Sequence, residues 1–305
     1  MTLAPVGLST YARLGHLKET IAALQKNELA SDSDLFVFSD ASRPGDEEKV
    51  SQVRDFLESV DGFRSVTVFK RETNSRVRNS RGGIEDVLNR FGKIIFLEED
   101  IVTARSFLTF MNAALDKYAT EERVISISGY SPPLGTQGSY EADTFLLPRF
   151  SGWGFATWRS KFDIDAMQLD RRAFYRLLRS PSRVRKFSRG GWDMLPMLLS
   201  QVRQEIDALD VRIFYSQFVR NMLTVYPVRP LASNIGHDGT GIHCAPGDRF
   251  DVEMEHRQVE TFSFPADLEP DSEMMKENYR FRNIPLADKL RFFAKSLLDM
   301  LHVGR

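Results

Sequence analysis

One cysteine, Cys244, is all the thiol chemistry in the 305 residues. A single thiol closes no internal disulfide and builds no thiolate metal cluster, so disulfide-stapled scaffolds and zinc fingers are excluded and a reducing compartment is expected. No window approaches the roughly 20 consecutive apolar residues that span a bilayer. The opening MTLAPVGLSTYARL has neither the basic start nor the apolar core of a signal peptide. A cytoplasmic protein is expected, with any membrane contact peripheral and at the inner face. Charge of one sign is also missing: 41 basic side chains stand against 42 acidic ones, so bulk charge holds no nucleic acid and no such partner is expected. The glycine-rich phosphate loops of dinucleotide and P-loop sites are absent as well. Binding must come from local sites.

What is there is periodicity. The apolar run Pro5-Val6-Gly7-Leu8 reads as a strand, and Leu14, Leu17, Ile21 and Leu24 recur at helical spacing. Asp34 to Phe38 is a second strand, ending at Ser39-Asp40-Ala41-Ser42; after Pro44-Gly45-Asp46 comes a helix with Val50, Val53, Phe56 and Leu57 on one face. Ser65 to Phe69 is a third strand and Ile84 to Leu88 belongs to a helix. Lys93 to Leu97 is a strongly apolar fourth strand running into Glu98-Glu99-Asp100, and a helix around 107–118 and a strand at 124–128 follow. Continuous apolar strands alternating with helices predict an α/β fold with a mostly parallel, doubly wound sheet. The length fits two units, divided at 130 and 131–250, with 251–305 as an extension. In that extension Leu290, Phe293, Leu297, Leu298 and Leu301 mark an amphipathic helix expected to pack on the body.

Three consecutive carboxylates at a strand end raise one another's pKa unless a cation or strong donors neutralise them. Strand alternation sends Glu98 and Asp100 to one side and Glu99 to the other, which suits a single metal-bound carboxylate better than a three-ligand cage. Oxygen ligands, and few of them, suggest Mn²⁺ or Mg²⁺ bridging to a diphosphate. A second reading stays open, in which the acids cap a helix beginning near Thr103.

The run FLEEDIVTARSFLTFMNAAL resembles the acidic metal-binding segment of GT-A glycosyltransferases, most closely the N-acetylglucosaminyltransferase I-like enzymes. The resemblance covers approximately Val6 to His243. LSTYARLGHLKETIAAL is similar to their first strand and helix, VFSDAS to their second strand, RFSGWGFATWRSKFD to their acceptor-side loop, and GGWDMLP to the segment that carries their catalytic base. It implies a GT-A-type fold with a nucleotide-sugar-binding half at 1–130 and an acceptor-binding half at 131–250. It further implies Asp100 on the metal, Glu99 on the ribose, Glu98 on the transferred sugar and Asp40 on the base, with Ser9, Thr10 and Arg13 lining the nucleotide pocket. Asp193 would be the general base of an inverting displacement, with Trp192, Trp153 and Gly154 on the sugar and acceptor side. For Asp193 the dipole-favoured first residue of a helix is the competing reading. EED differs from the family's EDD in its longer middle side chain, which leaves donor choice open.

Arg81, just before Gly82-Gly83, is expected to meet the nucleotide where glycine and a helix N-terminus allow close approach. The loop from Gly236 to His243 resembles the family's diphosphate lid, which puts Thr240 and His243 on the phosphates. The basic stretch from Arg171 to Arg189 reads either as a solvated helix face or as a site for a lipid-linked acceptor or a membrane surface. The expected activity is metal-dependent transfer of a sugar from a UDP-linked nucleotide-sugar donor to a glycan or lipid-linked glycan, as in surface polysaccharide synthesis. A sugar nucleotidyltransferase and a non-catalytic glycan-binding protein are the rivals. The first lacks its glycine-rich basic loop at Ser9-Thr10-Tyr11-Ala12-Arg13, and the second needs no pair of acids such as Asp100 and Asp193.

Overall fold

The structure is a computed structural model and describes residues 2–135, 140, 142–239, 247–265 and 267–303. Its strands are β1 (Val6–Thr10), β2 (Asp34–Ser39), β3 (Ser65–Lys70), β4 (Lys93–Glu98), β5 (Ile101–Thr103), β6 (Val124–Ser128), β7 (Thr144–Leu147), β8 (Phe155–Trp158), β9 (Leu223–Pro227) and β10 (Ala232–Asn234). Its helices are α1 (Leu14–Gln25), α2 (Glu47–Leu57), α3 (Arg76–Phe91), α4 (Phe107–Lys117), α5 (Arg171–Leu178), α6 (Pro181–Phe187), α7 (Met194–Val202), α8 (Leu209–Val219), α9 (Ser272–Phe281) and α10 (Leu286–Val303).

Eight strands form one sheet in the order β3-β2-β1-β4-β8-β6-β9-β7. The β3-β2-β1-β4 part is parallel throughout, and β8 and β7 are the two antiparallel members. This mostly parallel sheet is the predicted one. The reason lies in the strands: β1 is buried along its whole length and β4 through Ile94–Leu97, so helices must cover both faces. Leu17 and Ile21 of α1, Val53 of α2 and Phe107 and Met111 of α4 pack with Val6, Leu8 and Ile95 on one face. Ile84 and Val87 of α3, Leu198 of α7 and Phe214 of α8 pack with Phe36, Phe38 and Phe96 on the other. Truncating one such fully buried side chain to alanine costs about 2–5 kcal/mol. The sheet continues through residue 130: β7, β8 and β9, from the second expected unit, complete it.

Three local departures bear on the site. Glu98-Glu99-Asp100 caps no helix, because the chain continues as β5, paired antiparallel with β10, and α4 starts only at Phe107. Helix α3 begins at Arg76 behind the Ser75 cap, whose hydroxyl accepts from the Arg78 N–H; Ile84 is two turns inside it. Helix α10 rests on the body through Phe292 and Ser296, while Leu290, Phe293, Leu297 and Leu298 face outward, opposite to expectation. Among the described residues no helix is long and apolar enough to cross a membrane.

Candidate active site

The register of β1 against β4 sets Ser9 beside Glu98 at the carboxyl ends of the two central strands. Beyond it the backbone turns, and Glu99 binds the end of β1 to the site. One of its oxygens accepts from Thr10 Oγ1 and the Tyr11 N–H, both at 2.6 Å, and the other from Arg13 Nε at 2.7 Å. Arg13 Nη2 donates to Asp100 Oδ2 at 2.7 Å. Burial works against the Arg13 charge, but Asp100 and Glu99 outweigh it and hold its pKa above the usual value. Two atoms of this knot stay unpaired: Asp100 Oδ1 and Arg13 Nη1 are buried and make no hydrogen bond among the described residues. The segment after β10 lies over them. Ile235 N–H donates to the Asp100 carbonyl, and at Gly236 a Cβ would overlap the Asp100 carboxylate, so only glycine lets the backbone pass.

Glu98 points the other way and meets a residue with no signal in the sequence. Burial, then Asp100, then Asp210 push its pKa up to about 8. Asp210, in the first turn of α8, is open to water on one side and crowded by protein on the other. Burial raises its pKa against the pull of Arg76, Arg149 and a hydrogen bond from the Gly152 N–H. Gly152 makes that bond because a Cβ there would lie 2.7 Å from Asp210 Oδ2. In the sequence, Asp210 is one more acid at a helix start, where the dipole alone explains it.

Asp193 is placed differently from expectation. It stands just before α7 with both oxygens in a bidentate pair, 2.8 Å and 2.9 Å from Arg149, and Arg282 lies 3.8 Å away. Arg149 thereby engages both carboxylate oxygens of Asp193. The charge of Arg149 acts most strongly on Asp193 and more weakly on Asp210.

Other expected residues take structural positions. Thr10 Oγ1 donates to Glu99, which ties the expected ribose-binding carboxylate to the end of β1. Ser9 Oγ is bound to Ser80 Oγ at 2.9 Å. Buried Asp40 accepts from the Ala41 and Ser75 N–H groups and from Asn74 Nδ2, which fixes the loop before α3. Arg81 lies in the second turn of α3, paired with Glu85 at 3.2 Å, and lines a separate cavity of about 440 Å³ with Met167, Gln168 and Arg212. Gly83 serves packing, since a Cβ there would overlap the Phe38 ring. Trp192 packs on Phe292 and Phe293 with Lys289 Nζ 4.6 Å above its ring, so its expected sugar-facing surface is covered. Trp153 stays near the site, within 5.5 Å of Tyr130, His237 and Phe250. Gly154 adopts φ +66° and packs between Ala232 and Phe107. Thr240 and His243 lie outside the described residues.

Among the described residues no three His, Cys, Asp or Glu side chains are grouped to cage a metal ion. Asp100 Oδ1, buried and unpaired among the described residues, is an oxygen that could hold a divalent cation.

No known protein family and no curated protein matches the chain. Among solved structures it is similar to the mannosyltransferase PcManGT from Pyrobaculum calidifontis in complex with GDP-Man and Mn²⁺, at a TM-score of 0.35 and 14% identity over 52% of this chain and 45% of that one. S. aureus TarS 1-349 is similar at a TM-score of 0.39 and 11% identity, over 73% and 60% of the two chains. GalNAc-T7 with UDP, GalNAc and Mn²⁺ is similar at 0.43 and 12%, over 75% and 43%. The chain thus spans between 43% and 60% of the length of these structures. At such scores, function has to be argued from the site itself.

Proposed function

We propose that the protein is a metal-dependent, inverting glycosyltransferase that moves a sugar from a nucleotide diphosphate donor, UDP-linked by preference, to a hydroxyl of a glycan, in the synthesis of a surface polysaccharide. One observation carries the reading: a buried Asp100 oxygen without a partner, at the carboxyl end of a central strand, in a site that Glu98 shares with Asp210. The resemblance of FLEEDIVTARSFLTFMNAAL and its companion segments supports it independently.

Asp100 Oδ1 would hold Mn²⁺ or Mg²⁺, which when bound offsets the charge that grows on a departing diphosphate. The chain's own residues do the rest. Arg13 Nη1, buried and unpaired beside Asp100, is a donor for an anionic oxygen. Glu98 contacts the hydroxyls of the transferred sugar. Asp210, held by the Gly152 N–H, takes the proton from the acceptor hydroxyl, and the acceptor oxygen bonds to the anomeric carbon. The bond from that carbon to the diphosphate breaks with its electrons on the leaving oxygen, and Asp210 later returns its proton to water. Asp193 then serves as a positioning residue, fixing Arg149 so that its charge lies beside Asp210 and not on it.

A panel of nucleotide sugars tests the reading, by thermal shift and by product release with and without Mn²⁺. Stabilisation by a UDP-sugar that needs Mn²⁺, with slow release of UDP, is expected. Release of pyrophosphate from a nucleoside triphosphate and a sugar phosphate would replace the transferase with a nucleotidyltransferase. The Asp210 role has its own test. Asp210→Asn should lower UDP release about 100-fold with UDP affinity unchanged, whereas Asp193→Asn should keep most of the activity; the reverse order would return the proton to Asp193.

A further inference from the structure

Helix α10 is amphipathic with its apolar stripe turned outward. Leu286, Leu290, Phe293 and Leu297 follow one another at spacings of four, three and four, a single stripe of an α-helix. They are 71%, 62%, 42% and 56% exposed, whereas Phe292 and Ser296, on the side toward the body, are 5% and 1% exposed. A row of large apolar side chains in water marks an interaction surface. Phe293 touches Trp192 at its base, which ties the stripe to the body and fixes its direction.

The neighbourhood of the stripe is cationic. Helix α5 packs beside α10 through Phe174 and Phe292, whose rings are 6.4 Å apart. Between Asp170 and Asp193 the chain has seven arginines, one lysine and no acid. Arg171, Arg172 and Arg176 on α5, Arg179 just after it, and Arg185 and Lys186 on α6 are exposed. On α10 itself the exposed Arg291 and Lys295 each have an acid within reach, Asp288 at 2.9 Å and Glu205 at 3.4 Å, so the excess positive charge belongs to α5 and α6.

We propose that this face docks on an anionic lipid surface, with α10 in the plane of the interface, its leucine stripe among the upper acyl chains and the arginines of α5 and α6 over the headgroups. Charge favours this occupant over a second copy of the chain, because two copies joined stripe to stripe would bring their cationic flanks together. The inference stands apart from the proposed transfer reaction, since none of these residues lies at the acidic strand end.

Flotation of the full chain with vesicles of phosphatidylcholine, with and without one third phosphatidylglycerol, tests it. Recovery with the phosphatidylglycerol vesicles should exceed that with phosphatidylcholine alone by about tenfold and fall as ionic strength rises. The double variant Leu290→Ser, Leu297→Ser should lose at least about tenfold in recovery while keeping its melting temperature and nucleotide response, because both side chains are exposed. Arg176→Glu with Arg179→Glu should do the same through charge. Equal recovery on both vesicle types, or none on either, overturns the proposal. So does a dimer in light scattering that the leucine variant dissociates, which would give the face to a second copy.

Discussion

Two charged clusters a short way apart are built with opposite balances. At the strand end Glu98, Glu99, Asp100 and Asp210 stand against Arg13 and Arg76, and both an acid oxygen, Asp100 Oδ1, and a guanidinium nitrogen, Arg13 Nη1, are left over. Around Asp193 two arginines share one carboxylate; burial first, then Arg149, push the Arg282 pKa down to about 10, and Arg282 Nε is left over. A buried group without a partner costs free energy that the fold must offset elsewhere. The acid-rich end leaves polar atoms without partners, whereas in the arginine-rich cluster both oxygens of the one carboxylate are held by Arg149. An aspartate's neighbours, more than its position in a helix, decide which chemistry is open to it.

The largest effect that would break this contrast is expected from Asp100→Ala. It should reduce Mn²⁺-dependent UDP release by at least about 100-fold, while its loss of the Arg13 Nη2 acceptor is offset in part by relief of repulsion on Glu98; activity measured against Mn²⁺ concentration checks it. Next comes Arg149→Met, which strands Asp193 beside Arg282. A loss of about 2–3 kcal/mol in urea unfolding is expected, below the value for a fully buried pair because Asp193 keeps 27% of its side chain exposed. Adding Asp193→Asn to that variant should recover part of the loss. Gly236→Ala should act more mildly, weakening UDP affinity several-fold in calorimetry as the loop is pushed off Asp100.

The last effect is a pH dependence. Glu98 has its folded pKa raised to about 8, above the 4.5 of the free side chain. Between those values the folded chain binds more protons than the unfolded one, so stability is fully present below pH 4.5 and falls as pH rises toward 8. With metal removed by chelation, Glu98→Gln should flatten that slope, read as melting temperature against pH across the window. An unchanged slope would take Glu98 out of the crowded acid cluster.

The apolar strands made most of the fold legible. β1, β2, β4 and β6 fall where periodicity puts them, because strands covered on both faces have little else to be. The strand-end acids were legible for the same reason, since charge is conspicuous beside KIIFL. Side-chain partnership was not. Nothing in RFSGWGF shows that Arg149 reaches Asp193, 44 residues on, or that Gly152 makes room for Asp210. Periodicity found the α10 stripe but assigned it to the core, because an amphipathic pattern records that a helix has two faces and leaves open which of them meets the body.

Manganese binding followed by electron paramagnetic resonance tests the central claim most directly. Adding UDP to the protein with Mn²⁺ should abolish most of the free-ion signal in the wild type and almost none in Asp100→Ala. Equal loss of signal in both proteins would move the cation away from Asp100 and contradict the account.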